Sequence, residues 1–209
     1  IKRITAKDNP LIKRYRRLAS SKKFRESENS FILEGKRLIN DAYENGVKFD
    51  KLLITDSAYE KNYSEVEDMF KKFEKNAVII DDKTGGMLSE TQNTQGFFAI
   101  CSIPKQNDAD EILSSKKGNY IVLSRLQDPG NIGTIIRTAD AMGVKAIICL
   151  NGTADIYSPK VVRSAMGSLF NLPIITKISE QDLLSFCQNH NLTLYATALD
   201  NSAKASWDI

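Results

Sequence analysis

The chain is expected to be an α/β protein, on three observations. Short apolar runs of strand length alternate with helical patterns along nearly the whole sequence, as βαβ units and a helix-covered sheet require. Turn and cap residues, such as Asn9-Pro10, Gly35 and Gly46, fall between the runs. The alternation lapses once, near residues 104–117, and then restarts. Two α/β units follow from this, residues 1–103 and 118–209, joined by a linker at 104–117.

In chain order, Asn9-Pro10 opens a helix in which Leu11, Ile12, Tyr15 and Leu18 keep helical spacing. Phe31 to Glu34 is a buried strand, and Gly35 turns it into a helix over Lys36 to Asn45 that Gly46 closes. Lys51 to Thr55 is a strand, Ser64 to Phe73 a helix, Ala77 to Ile80 a strand, Lys83 to Ser89 a short helix, and Gly96 to Cys101 a strand. Pro104-Lys105-Gln106-Asn107-Asp108-Ala109-Asp110 lacks apolar periodicity, which marks the linker. The second unit runs Tyr120 to Leu123 strand, Asn131 to Met142 helix, Ala146 to Leu150 strand, Lys160 to Phe170 helix, Pro173 to Thr176 strand, Gln181 to Asn189 helix and Thr193 to Thr197 strand.

The 209 residues are 42% hydrophobic, enough for a proper core. No apolar run approaches the roughly 20 residues of a membrane helix, and the basic N-terminus lacks the apolar segment of a signal peptide. Cys101, Cys149 and Cys187 sit in or beside apolar runs without metal-ligand spacing, so buried reduced thiols and a cytoplasmic location are expected. His190, the one histidine, belongs to a solvated helix end, and no metal site is expected.

Charge is unevenly spread. Residues 1–37 hold twelve Lys or Arg against four acids, a net of +8 in a chain of net +3, so the rest sums to −5. A basic head on an acidic body suits a polyanion, because Lys and Arg release counterions condensed on nucleic acid. A solvated helix face accounts for a charge run as well. Tyr15 and Phe24, interleaved with these cations, could stack on bases.

Two stretches carry more specific information. In Leu123-Ser124-Arg125-Leu126-Gln127-Asp128-Pro129-Gly130-Asn131-Ile132-Gly133-Thr134-Ile135-Ile136-Arg137-Thr138-Ala139 a strand runs into a glycine turn and then a helix, with Arg137 one to two turns in. The stretch holds Gly130-x-x-Gly133, which is neither the dinucleotide fingerprint nor a Walker loop. An ordinary helix-opening turn with Arg137 in a surface ion pair stays open on pattern alone. In the second stretch, Ser158 caps, Pro159 takes the first helical position, and Lys160, Arg163 and Ser164 share one face. Gly167 and Ser168 allow a neighbouring chain to approach closely.

Asp128 to Ala139 closely resembles the first signature of the SpoU (TrmH) family of RNA ribose 2′-O-methyltransferases, within the SPOUT superfamily. Ser158 to Ser168 resembles the segment that usually follows it, and Phe31 to Ile39 and Thr94 to Ile100 look like the family's N-terminal substrate-binding domain. The resemblance implies a ribosomal-protein-like α/β RNA-binding domain followed by a parallel-sheet α/β-knot methyltransferase domain. It implies S-adenosylmethionine as methyl donor and structured RNA, ribosomal rather than transfer, as acceptor, with a homodimer as the working form. The catalytic residues would be Asn131 and Arg137. Cofactor contacts would come from Thr197, Ala198 and Leu199, and RNA contacts from Arg14, Arg16, Arg17, Lys160, Arg163 and Ser164. Family members continue past this strand into the motifs that form the knot and most of the cofactor pocket. The sequence ends at Ile209, before both, so weak or no cofactor binding is expected of these residues alone. A non-catalytic RNA-binding protein of the same fold is the alternative, and a nucleotide-cofactor enzyme using Gly130 to Gly133 as a phosphate loop is a third.

Overall fold

The computed structural model describes residues 2–63, 66, 69, 71, 73, 76–105, 109–115, 118–197 and 203–204. In the first half, β1 (Lys2–Ile4), β2 (Ser30–Glu34), β3 (Phe49–Thr55), β4 (Ala77–Ile80) and β5 (Phe97–Ser102) form one mixed sheet. Its spatial order is β1-β4-β3-β5-β2, with β4 parallel to β1 and β3, and β5 antiparallel to β3 and β2. Among the described residues it is accompanied by α1 (Pro10–Ser20), α2 (Lys22–Glu28), α3 (Lys36–Glu44), α4 (Asp56–Lys61) and α5 (Asp82–Leu88).

The helix starts follow from local chemistry. The Asn9 side chain accepts from the Leu11 amide at 2.9 Å and Pro10 fills the first turn of α1, whose Ile12, Tyr15 and Leu18 are buried. Ser21 ends α1 and caps α2, its hydroxyl accepting from the Phe24 amide at 3.2 Å. Asp81 caps α5 through the Thr84 amide at 2.7 Å. Of the helix expected over 64–73, Val66, Met69, Lys71 and Phe73 are helical, and the other positions lie outside the described residues.

In the second half, β6 (Tyr120–Leu123), β7 (Ala146–Leu150) and β8 (Ile174–Ile178) form an all-parallel sheet in that order. Around it lie α6 (Ala109–Ser115), α7 (Pro129–Ala141), α8 (Pro159–Ala165), α9 (Ser168–Asn171) and α10 (Glu180–Asn189). Helix α6 falls within the stretch expected as linker, and its Ile112 and Leu113 are buried against Ile148, Ile175 and Leu183. Helix α10 begins with a reciprocal cap between Ser179 and Asp182.

One apolar core joins the two halves. Phe31, Leu33, Leu38 and Phe97 from the first sheet and its helices share it with Ile132, Ile136, Val161, Val162, Ala165 and Leu169. A fully buried aliphatic or aromatic side chain stabilises by about 1.5–3 kcal/mol, so this shared cluster binds the halves firmly. Its polar counterpart is Arg25, whose guanidinium meets Asp155 at 2.8 Å with side-chain exposures of 6% and 16%. Arg25 also donates to the carbonyls of Leu18 and Ala19, so the buried charge is satisfied on several sides.

Several expectations need correction. Strand β1 has no counterpart in the sequence reading, because two of its three residues are exposed cations and only Ile4 is buried. The helix expected from Asn131 starts two residues earlier, because Asp128 caps it and Pro129 takes its first position. The helix expected over Lys160 to Phe170 is broken in two at Met166, which takes φ +54°. Thr193–Thr197 is not a strand: it pairs with none among the described residues, and its side chains, Leu194 and Tyr195 included, are exposed. An alternating pattern without a partner strand or a buried face has nothing to hold it extended.

Tyr15 cannot stack on a base, since it is wholly buried, packs edge-on against Phe98 at 5.8 Å and donates to the Leu33 carbonyl at 3.3 Å. His190 is not a solvated end: its ring, 17% exposed, lies 3.0 Å from Asp110 of α6. Cys101 and Cys149 are buried, but Cys187 is only half-buried. Burial pushes the Cys101 thiol well above its ordinary value and the Cys149 thiol up to about 12.

Candidate active site

The site is built where the loop after β6 feeds α7 and where α7 meets α8. The Asp128 side chain accepts from the Asn131 amide at 2.7 Å, so Gly130 and Asn131 occupy the first turn rather than a preceding loop. Gly133, one turn further, is buried at the crossing. A Cβ on it would lie 2.2 Å from the Ser164 Cβ, 2.4 Å from the Ser164 hydroxyl oxygen and 2.7 Å from the Ala165 amide nitrogen. Only glycine lets the helices touch backbone to backbone here. The Ser164 hydroxyl then donates to the Gly130 carbonyl at 3.1 Å, which locks the first turn of α7 onto α8.

The loop beneath is held as firmly. Gln127 donates to the carbonyls of Arg125 and Gly152, Thr153 donates its hydroxyl to the Leu123 carbonyl at 2.9 Å, and the Ala154 amide donates to Leu126 at 2.9 Å. The segments after β6 and β7 are therefore stitched together at the carboxyl edge of the parallel sheet, the usual location of ligands in such sheets.

On this rigid base Asn131 and Arg137 are both exposed. Arg137 makes no hydrogen bond or ion pair among the described residues, and the surface ion pair left open for it by the sequence is absent there. Asn131 does not hydrogen-bond to it either. An unpaired, always-charged guanidinium on a fixed helix is available to an anion.

The candidates on α8 divide. Lys160 is exposed and without a partner among the described residues. Arg163 meets Glu90 at 3.3 Å, with both side chains about one-third exposed. Ser164 is engaged with Gly130, so its hydroxyl positions α7 rather than standing free for RNA. Glu90 belongs to a turn anchored by Glu34, which accepts from the Ser89 hydroxyl, from the Glu90 amide at 3.1 Å and from the Thr91 hydroxyl at 3.0 Å. Sequence reasoning missed this role of Glu34, although the residue lies in one of the stretches that carried the resemblance. The sequence did single out Gly167 for a close approach, and α3 makes it: a Cβ there would come within 2.8 Å of the Asp41 carboxylate.

The basic head is more self-compensated than its composition suggests. Arg14 pairs with Glu28 at 3.0 Å and with Asp50. Partial burial pulls its pKa down, but these carboxylates outweigh that and raise it. Arg3, Lys13 and Arg25 pair with Asp56, Asp8 and Asp155. Arg17 lies over the Phe24 ring, 4.2 Å from its centroid, and Arg16 is exposed with no partner among the described residues. Of the cofactor candidates, Thr197 is exposed on irregular backbone, and Ala198 and Leu199 lie outside the described residues.

Comparison with known proteins matches residues 118–208 to the SpoU rRNA Methylase family and residues 9–99 to the MRM3-like substrate binding domain. The chain is 29% identical over 203 residues to the 23S rRNA (guanosine(2553)-2′-O)-methyltransferase RlmP of Bacillus subtilis, covering 97% of this chain and 76% of that protein. It is 32% identical over 209 residues to an uncharacterized tRNA/rRNA methyltransferase of Synechocystis, covering 99% and 73%. Against human mitochondrial rRNA methyltransferase 3 it is 31% identical over 197 residues, covering 90% of this chain but only 46% of the relative. Among solved structures, the AdoMet-bound rRNA methyltransferase from Sinorhizobium meliloti superposes with a TM-score of 0.78 at 30% identity, over 90% of this chain and 69% of that one. The SpoU methyltransferase AviRb of Streptomyces viridochromogenes with AdoMet gives 0.75 at 25% identity, over 88% and 68%.

Proposed function

Because the chain belongs to the SpoU rRNA methylase family, we propose that it transfers a methyl group from S-adenosylmethionine to a ribose 2′-hydroxyl of ribosomal RNA. The relatives' names support ribosomal RNA as acceptor, and the two relatives solved with AdoMet support the donor. When bound, the sulfonium supplies the methyl group. The described side chains at Thr197 and around it are exposed and do not enclose such a group.

The observation that carries the reading is Arg137, exposed and without a partner among the described residues, on a helix clamped against its neighbour at Gly133. Methyl transfer to a hydroxyl is an in-line displacement in which positioning supplies much of the rate. The hydroxyl oxygen gains negative character as it attacks, and its proton passes to solvent water. A guanidinium holds its proton too tightly to act as a base at neutral pH. Arg137 instead holds the phosphate beside the target ribose and stabilises the developing alkoxide, and Asn131 hydrogen-bonds the ribose. Lys160 takes an adjoining phosphate, as does Arg163 once it exchanges Glu90 for RNA. Arg16 and Arg17 extend the contact. Residues 1–103 capture RNA, residues 118–209 carry out the transfer, and the working form is a cytoplasmic homodimer.

Arg137→Ala in the full-length protein tests this. Radiolabelled methyl incorporation into unmodified rRNA should be lost, with unfolding midpoint and most RNA affinity kept. Retained turnover removes Arg137 from the reaction.

A further inference from the structure

A cleft of about 860 Å³ lies at the junction of the two halves, beyond the carboxyl end of β7, and involves none of the residues placed above in the reaction. A smaller cavity of about 250 Å³ continues it, the two sharing Ile103, Pro104, Lys105, Tyr157 and Thr176. Five cations line the larger cleft, but Arg25 is neutralised by Asp155 and Lys177 by Glu26 at 3.1 Å. Lys22, Lys48 and Lys105 remain, all exposed and without partners among the described residues. They come from three places in the chain: α2, the turn before β3 and the segment after β5. Tyr157 lines both cavities and is backed by the Phe31 ring at 5.0 Å.

We propose that this groove holds a single-stranded segment of the substrate RNA outside the nucleotide that is methylated. The proposal rests on the methyltransferase reading and deepens it. Three uncompensated lysines spread over separate elements suit a backbone with repeated charges rather than one phosphate. The half-buried Tyr157 ring that lines both cavities offers a base an aromatic contact, and stacking of this kind grips single strands without sequence readout. The stitched turn Gly152-Thr153-Ala154 connects the groove to the loop that feeds α7, so a strand lying there has a fixed spatial relation to Arg137.

The test is a Lys22→Glu/Lys48→Glu/Lys105→Glu variant of the full-length protein, compared with wild type by filter binding to unmodified rRNA transcript across a potassium chloride series. All three side chains are exposed, so the fold is kept. Affinity should fall by about tenfold or more near 0.1 M salt, and the slope of log affinity against log salt should flatten by roughly 2, at about 0.7 per single-strand phosphate contact. Ultraviolet cross-linking of 4-thiouridine-substituted transcript should label the peptide containing Tyr157. Wild-type affinity and slope in the variant, with cross-links elsewhere, overturn the groove and leave the methyltransferase reading standing. Failure of the wild type to bind the transcript overturns both.

Discussion

Gly133→Ala isolates the contact on which the site depends. In a helix interior, glycine to alanine ordinarily gains about 0.8–1.0 kcal/mol. At Gly133 the added carbon would sit 2.2 Å from the Ser164 Cβ and 2.7 Å from the Ala165 amide nitrogen, and a backbone atom cannot rotate away. Overpacking costs typically about 1–3 kcal/mol, and two such approaches put this site at the upper end. The net is a loss of about 2 kcal/mol, or roughly 4–8 °C in Tm for a chain of this size. Gly86, also helical, is the internal control: it has nothing within 4 Å of an added Cβ, so Gly86→Ala should stabilise by about 0.5–1 kcal/mol. Urea unfolding of both variants measures the pair. Methyl transfer by Gly133→Ala should fall by about 100-fold, because a shift near 1 Å in α7 displaces Asn131 and Arg137 together. If Gly133→Ala stabilises as Gly86→Ala does, the close crossing is refuted.

Other expectations follow from the same contacts. Asp155→Ala strands the buried guanidinium of Arg25 and should cost about 3–5 kcal/mol by urea unfolding; a loss under 1 kcal/mol would show the pair to be idle. Arg14→Ala should lower stability with little change in RNA affinity, whereas Arg16→Ala should do the reverse; the opposite pattern would return Arg14 to the RNA surface. Burial pushes the Cys149 thiol and the Tyr157 phenol up to about 12 from ordinary values of 9.0 and 10.0. The unfolded chain ionises first, so their contribution is complete below about pH 9 and is lost progressively from there toward pH 12. A urea midpoint that stays level over that window would contradict it.

Much of this fold is visible in residue order, because strands buried on both faces must be continuously apolar. Ala77–Ile80 and Ala146–Leu150, buried throughout, fall where their runs predict, as does the half-buried Tyr120–Leu123. What escapes the sequence is whatever depends on distant partners. Lys2–Ile4 is a strand only because β4 offers it an edge. Tyr15 resembles an exposed aromatic among cations until β2 and β5 cover it. His190 finds Asp110 eighty positions away. The break at Met166 places a non-glycine residue at positive φ, which helical periodicity does not forecast. Within the site, Asn131 and Arg137 are readable as a pattern, but the task of Gly133 and the engagement of Ser164 with Gly130 exist only in the crossing of two helices.

Methylation of ribosomal RNA by a site built around Arg137 leaves its mark on the product itself. Mapping ribose 2′-O-methyl groups across rRNA from cells with the gene deleted tests it most directly. Deletion should remove a discrete modification, restored by the wild-type gene and not by Arg137→Ala expressed at the same level. An rRNA methylation map unchanged by the deletion would contradict it.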